Sequence, residues 1–367
     1  MHLVTAERDA LLKPIQTVSG IVERRHTLPI LSNLLLTRTG NELSFLATDI
    51  EVQISTKAPC EGGQDVATTV AARKLLDILR ALPATSNVSL ELNNKKLNIK
   101  AGKSRFSLQT LPADDFPTVS QATEFKAGFS LGQKSLKALL ALVQYAMAQQ
   151  DIRYYLNGLL LIVDKGQAKV VATDGHRLAF AALPIEGEVE RQEVIIPRKT
   201  VIELERLLED SDELIRIDVA QTQVRFQFGN VELVSKLVEG KFPDYQRVIP
   251  TGYKNSFGIS RDELVGCLQR AAILTNEKFK GVRCIIGEGS LKISCTNTDQ
   301  EEAQEEADID YHGEVIDIGF NVTYLLDVLA HVKCETINIS LGDANSSALI
   351  TTPDNAEFKY VVMPMRI

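Results

Sequence analysis

The chain has no tryptophan, five histidines, and five cysteines with no C-x-x-C pair among them. Each scarcity closes a class of function. Cys60, Cys267, Cys284, Cys295 and Cys334 are odd in number and scattered, with no histidine at metal-ligand spacing, so neither a disulfide framework nor a metal site is expected. They read as buried thiols of a reducing cytoplasm. Apolar runs such as "LLLIV" at 159–163 fall far short of the roughly 20 residues a bilayer span requires. The opening "MHLVTAERDALLK" brings in Glu7 and Asp9 early and does not read as a signal peptide. Basic residues are outnumbered, 40 Lys and Arg against 48 Asp and Glu, for a net charge of −8. Bulk attraction to nucleic acid is therefore not expected, since that affinity comes mainly from phosphate neutralisation.

Catalytic motifs are scarce as well. There is no G-x-S-x-G, and "GKS" at 102–104 lacks the upstream glycine of a phosphate loop, Leu97 standing there, so it reads as a hairpin turn. No D-x-D-x-D-G calcium loop is present. One stretch, "VATDGHRLA" at 171–179, sets Asp174, His176 and Arg177 close together. A carboxylate beside an imidazole suits general acid–base catalysis. The alternative is a strand ending in a tight turn, with Asp174 capping free N–H groups and Gly175 taking a positive φ.

What the chain does have is length and repetition. Its 367 residues exceed one core, and 44% hydrophobic with 24% charged residues is an ordinary globular mixture. "LATDIEV" at 46–52, "VATDGHR" at 171–177 and "TNTDQEE" at 296–302 place Asp49, Asp174 and Asp299 at intervals of 125. "ARKLLDIL" and "PRKTVIEL" keep Arg73 and Arg198 in the same register, and "LLDIL" at 75 returns as "LLDVL" at 325. "DDFPTV" and "GKFPDY" set Phe116 and Phe242 at an interval of 126. Three homologous domains follow, at 1–125, 126–253 and 254–367.

Each third reads as a helix of about four turns, strands, a second short helix and more strands, itself divisible into two like halves. In the middle third the first helix is expected to bury Leu136, Leu139, Leu140, Val143 and Met147 on one face. The class is α+β, with antiparallel sheets and helices on one face. Because the Thr-Asp element recurs where no histidine follows, the turn belongs to the scaffold. Only Gly175, His176 and Arg177 are special to the middle copy.

Charge placement carries more than total charge. Residues 131–150 contain no acid, and the face opposite the apolar stripe offers Lys134, Lys137, Ala141, Gln144 and Ala148. This is either an ordinary solvated face or a surface kept clear of negative charge for phosphates. "QQDIRYY" follows directly, while "ERRHT" at 23–27 and "NEKFKGVR" at 276–283 add basic loops. Lys199 and Arg206 alternate with Glu203 and Asp210 on the second helix, so any basic surface is patchy. The ending "KYVVMPMRI" offers adaptable Met side chains to a partner, unless it is a last strand tucked into the third core.

"TLPILSNLLL", "DIRYYLNGLLL", "VATDGHRLA", "KLVEGKFPDYQRVIP", "AAILTNEKFKGVR", "IGFNVTYLLDVL" and "YVVMPMR" occur in order along the whole chain. Together they resemble the bacterial DNA polymerase III β subunits, the replicative sliding clamps. The resemblance implies three domains of the DNA clamp (processivity) fold, sheets outside and two helices inside each, closing as a head-to-tail homodimer into a six-domain ring around duplex DNA. It implies no catalysis and no cofactor, and as partners the clamp loader, the polymerase III catalytic subunit, other polymerases, and mismatch-repair and ligation factors.

Carried over residue by residue, the resemblance assigns DNA contact to Arg25, Gln150, Arg153, Tyr154 and Tyr155. It assigns a peptide-docking pocket to Leu156, Thr173, Gly175, His176, Arg177, Leu178, Pro243, Arg247, Val248, Asn321, Tyr324, Val361, Val362, Met363, Pro364, Met365 and Arg366, with the Met-rich tail as a flexible floor. At the dimer interface Ile78, Phe106 and Leu108 would pack on Ile273 and Leu274, with Lys74, Lys103 and Arg105 facing Glu301, Glu302 and Glu305.

Overall fold

The computed structural model describes residues 1–23, 28–120, 122–187, 189–276 and 278–366. Among them are six α-helices: α1 Arg8–Val18, α2 Ala72–Ala81, α3 Gln133–Ala141, α4 Arg198–Leu207, α5 Arg261–Ala272 and α6 Val322–His331. None is long and apolar enough to cross a membrane. Each is entered from one strand and followed by three, so the unit β-α-β-β-β occurs six times, twice in each third.

The halves of a third exchange their leading strands. His2–Glu7 pairs with Asn87–Asn93 of the following half, and Val66–Ala71 pairs back with Asn33–Thr39. Ala127–Gly132 with Leu214–Val219 and Gln192–Pro197 with Gly158–Asp164 repeat the exchange, as do Asn255–Ser260 with Thr336–Leu341 and Ile316–Asn321 with Gly281–Gly287. All these ladders are antiparallel, and strands such as Lys96–Ala101 bury alternate residues, Leu97, Ile99 and Ala101, as a half-covered sheet requires. The helices bury their own stripes, Leu75, Leu76 and Leu79 on α2 and Leu325, Val328 and Leu329 on α6.

The chain forms two compact units, residues 1–134 with 199–237, and residues 135–198 with the chain from Val238 onward. The first holds a twelve-stranded sheet, continuous because Val52–Pro59 pairs with Val231–Lys236, Ile54 opposite Leu233. The second holds an eight-stranded sheet joined where Arg177–Pro184 meets Asn355–Val362, and a four-stranded sheet that ends on Glu302–Asp308. In the first unit Ser104–Leu111 pairs with Lys96–Ala101 on one side and meets Val66–Ala71 at Thr110 and Leu111 on the other.

Several expectations need correction. A strand precedes the first helix of every third, and the sequence pattern does not show it, because segments like "HLVTAE" are short and only partly apolar. Helix α3 ends at Ala141, not near 150. Ala146, Met147 and Ala148 are all buried, and three successive inward residues do not fit one helix face, so the chain turns through a 3-10 segment at Gln144–Ala146. Ala148 thus lies inside, not on a solvated face. Cys334 is half-buried while the other four thiols are buried, and burial pushes Cys284 up to about 12. The "GKS" stretch is the expected hairpin turn, with Gly102 at φ +55° between Ala101 and Ser104.

Candidate functional site

The site is built on the turn between strands Gln167–Thr173 and Arg177–Pro184. Asp174 Oδ1 accepts the N–H groups of His176 (2.9 Å) and Arg177 (3.1 Å), and Thr173 Oγ1 donates to Arg177 O at 2.6 Å. Gly175 holds φ at +89°, which a side chain rarely adopts. The same device closes the first third, where Asp49 Oδ1 accepts from Glu51 (3.0 Å) and Val52 (2.7 Å) and Ile50 takes φ +81°. In the last third the capping oxygen belongs to Asn297, which accepts from Asp299 (3.0 Å) and Glu301 (2.9 Å), so Asp299 is not the counterpart its spacing suggested. The loop there, from Thr296 to Glu302, is two residues longer.

Arg177 is the hub. Its Nε lies 3.2 Å from Asp174 Oδ2, one terminal nitrogen pairs with Asp327 of α6, and the other donates to the Tyr145 carbonyl at 2.7 Å. The guanidinium carbon stands 4.5 Å from the Tyr324 ring centre and 5.6 Å from that of Tyr145. Its side chain is 9% exposed. Burial alone would lower its pKa, but Tyr360 and the two carboxylates raise it on balance. Asp174 is thus spent on backbone caps and Arg177, which leaves the Asp174–His176 pair no catalytic geometry. His176 instead lies parallel to Tyr324, ring centres 6.4 Å apart.

Beside this turn opens a cleft of about 200 Å³, lined by Arg153, Leu156, Thr173, Gly175, Arg177, Leu178, Phe242, Pro243, Tyr245, Val248, Val361 and Met363. Its walls are mainly apolar, and Leu178, Phe242 and Val361 continue into the core with Leu160 and Val171. Nine residues of the expected pocket are here. His176 and Tyr324 line a neighbouring cleft with Asp151 and Gln149. Val362 is fully buried opposite Arg177, Asn321 caps α6 by accepting from Thr323 N at 2.9 Å, and Arg247 projects outward beside Asp244 at 3.0 Å. Met363 N donates to His176 O and Met365 N to Gly319 O, pinning both sides of Pro364, and Arg366 is exposed beyond. Phe242 and Tyr245 also line the cleft, and "GKFPDY" marks Phe242 as a repeat position.

The loop before the cleft is rigidly tied. Asp151 N donates to Asn157 Oδ1 and Asn157 Nδ2 returns to Asp151 O, both at 2.9 Å. Arg153 makes a fork to Asp151 at 3.0 and 2.8 Å, and its side chain and main-chain bonds hold the Asp151 carboxyl down at about 2. Gln150 and Tyr154 are exposed, and Tyr155 is half-buried against Tyr154. Arg25 lies outside the described residues.

Residues 1–120, 130–244 and 246–366 match, in turn, the N-terminal, central and C-terminal domains of the DNA polymerase III β subunit. The chain is 47% identical to the β sliding clamp of Pseudomonas putida over the full length of both, and 44% identical to that of Escherichia coli K12 over 99% of each. It superposes on a crystal structure of the Pseudomonas aeruginosa DNA polymerase sliding clamp with a TM-score of 0.95, 46% identity and complete coverage of both chains.

The chain belongs to the β sliding clamp family. Its members are processivity factors of DNA replication, not enzymes, and bind DNA and polymerase as dimers. Within this clamp chain, Ile273 is 77% exposed and Phe106 37%, while Ile78, Leu108 and Leu274 are half-buried. Lys74, Lys103, Arg105, Glu301 and Glu302 are exposed. Glu305 pairs in its own chain with Arg270, which holds its carboxyl below the usual range. No cluster of metal-ligating side chains occurs among the described residues.

Proposed function

We propose that two copies of this chain close head to tail into a six-domain ring around duplex DNA, each contributing clamp domains at 1–125, 126–253 and 254–367. A mismatch of sheet edges carries the reading. Val52–Pro59 closes onto Val231–Lys236, and Arg177–Pro184 onto Asn355–Val362, each time joining one third to the last strand of the next. Continuing the series, Glu302–Asp308 requires the last strand of a further third, and Ser104–Leu111, its outer edge from 104 to 109 without a ladder partner among the described residues, supplies it from a second copy. Open edges invite such pairing, and a heterologous contact closes when its rotation does.

The chemistry of the two edges agrees. Lys103 and Arg105 stand at one, Glu301, Glu302 and Glu305 at the other, and Ile273 and Leu274 offer apolar area to Ile78, Phe106 and Leu108. A closed ring also accounts for a net charge of −8 in a DNA-binding protein. Topology holds it, and weak phosphate contacts from Arg25, Gln150, Arg153, Tyr154 and Tyr155 let it slide without reading sequence.

The apolar cleft is then the dock for short peptide segments of the polymerase III catalytic subunit, other polymerases, the clamp loader, and mismatch-repair and ligation factors, in the cytoplasm. Its few polar groups around an apolar floor suit a peptide with large apolar side chains. Sedimentation of the Ile273→Ala, Leu274→Ala double variant tests the ring. Truncating such anchors costs roughly 2–5 kcal/mol when they are buried, so the variant should sediment as a monomer at nanomolar concentration. A tight dimer would contradict the interface.

A further inference from the structure

Asp327 lies on α6 and does not line the apolar cleft, yet it closes a circuit of contacts behind the cleft wall. Its carboxylate pairs with Arg177, Arg177 donates to the Tyr145 carbonyl at 2.7 Å, and the Tyr145 ring stacks on His331 with centres 4.3 Å apart. His331 Nδ1 returns to the Asp327 main-chain oxygen at 2.7 Å. On the other side of Arg177 stand the cleft residues Thr173, Gly175 and Leu178, and His176 O receives the N–H of Met363.

We propose that Asp327 is a positioning residue for peptide docking, holding the Asp174–Arg177 turn in its binding shape through Arg177. The inference rests on the reading of the cleft as the peptide dock. Its physical basis is the burial of the guanidinium, 9% exposed, between two carboxylates. A buried charge stripped of a partner swings toward water or drags its backbone, because desolvation is no longer offset. The backbone it would drag carries Gly175 and the carbonyl that pins Met363. An Asp at this position thus bears on the cleft wall through Arg177, while Asp174 also caps its own turn.

The test uses the whole chain and the purified polymerase III catalytic subunit of the same organism as probe. Asp327→Asn should weaken binding roughly tenfold while the dimer sediments unchanged, and Asp327→Glu should recover most of the loss. In an Arg177→Gln background Asp327→Asn should have no further effect, which a merely structural contact of α6 would not predict. Asp327→Ser repeats the test should the Asn variant fold poorly. Val248→Asp, on the exposed rim of the cleft, separates the two readings. If it abolishes binding and Asp327→Asn leaves affinity within about twofold, or acts equally in both backgrounds, the positioning role is wrong. If Val248→Asp binds polymerase normally, the dock itself is elsewhere and the proposal falls with it.

Discussion

Lys199 of α4 is bonded to Asp49, 150 positions earlier in the chain. Asp327 of α6 is bonded to Arg177, again 150 positions earlier. Each contact ties the second helix of one third to the Thr-Asp turn of the preceding third. With a repeat of 125, Lys74, Lys199 and Tyr324 hold one helical position. In the proposed ring, the turn at 297–301 meets Lys74 of another copy.

Lys74→Glu should therefore weaken the dimer by about tenfold, since it sets a like charge against the Glu301 turn in place of an attraction, and the loss should shrink in high salt. Lys199→Ala serves as the matched control. It should lower thermal stability slightly and leave the dimer intact. Analytical ultracentrifugation of both at low and high salt checks the pair.

Ile50 and Gly175 occupy the same turn position with φ of +81° and +89°. A β-branched residue there is strained by roughly 1–2 kcal/mol, more than the 0.5–1 kcal/mol of chain entropy glycine loses on folding. Ile50→Gly should raise stability by about 0.5–1 kcal/mol in denaturant titration. Gly175→Ala should do the opposite and weaken partner binding too, because its methyl would meet the Arg153 guanidinium at 3.0 Å.

The contrast shows what the sequence makes legible. A period of 125 and the alternation of apolar residues reveal three domains, their antiparallel sheets and the turn at Asp174, because these follow from local pattern. Exchange of leading strands leaves no local trace: "HLVTAE" looks the same whichever partner it finds. In the cleft, Leu178, Val361 and Met363 were legible through resemblance. Asp327 was not, since its importance lies in meeting Arg177 from 150 residues away.

The Asp151–Arg153 fork makes a pH prediction. The Asp151 carboxyl is lowered from 3.8 to about 2, so its contribution is present above the unfolded value and is lost as pH falls through about 2. The 148–157 loop should keep its shape to about pH 3 and loosen below that. Tyr154 and Tyr155 ring resonances followed by NMR across this range report the change, and Asp151→Asn should remove it.

Tyr145 carries a buried hydroxyl with no hydrogen-bond partner among the described residues. Its contacts with Arg177 are made by its carbonyl and ring. Tyr145→Phe should therefore leave polymerase binding unchanged and raise stability by up to about 1 kcal/mol, relieving an unsatisfied group. Thermal melting beside a binding titration checks both halves.

Removal of residues from Met363 onward should weaken polymerase binding at least tenfold, since it takes away one wall of the cleft and the bond to His176 O. The dimer should be unaffected, because both proposed interface edges lie elsewhere. Titration and sedimentation on one preparation decide it.

The central claim is that the protein holds DNA by encircling it. It should be loaded onto a nicked circular plasmid with a clamp loader and ATP, freed of unbound protein by gel filtration at moderate salt, and the plasmid then cut once. Retention on the circle and loss from the linear form is the predicted result. Equal retention on both would mean that contact, and not topology, holds the protein on DNA.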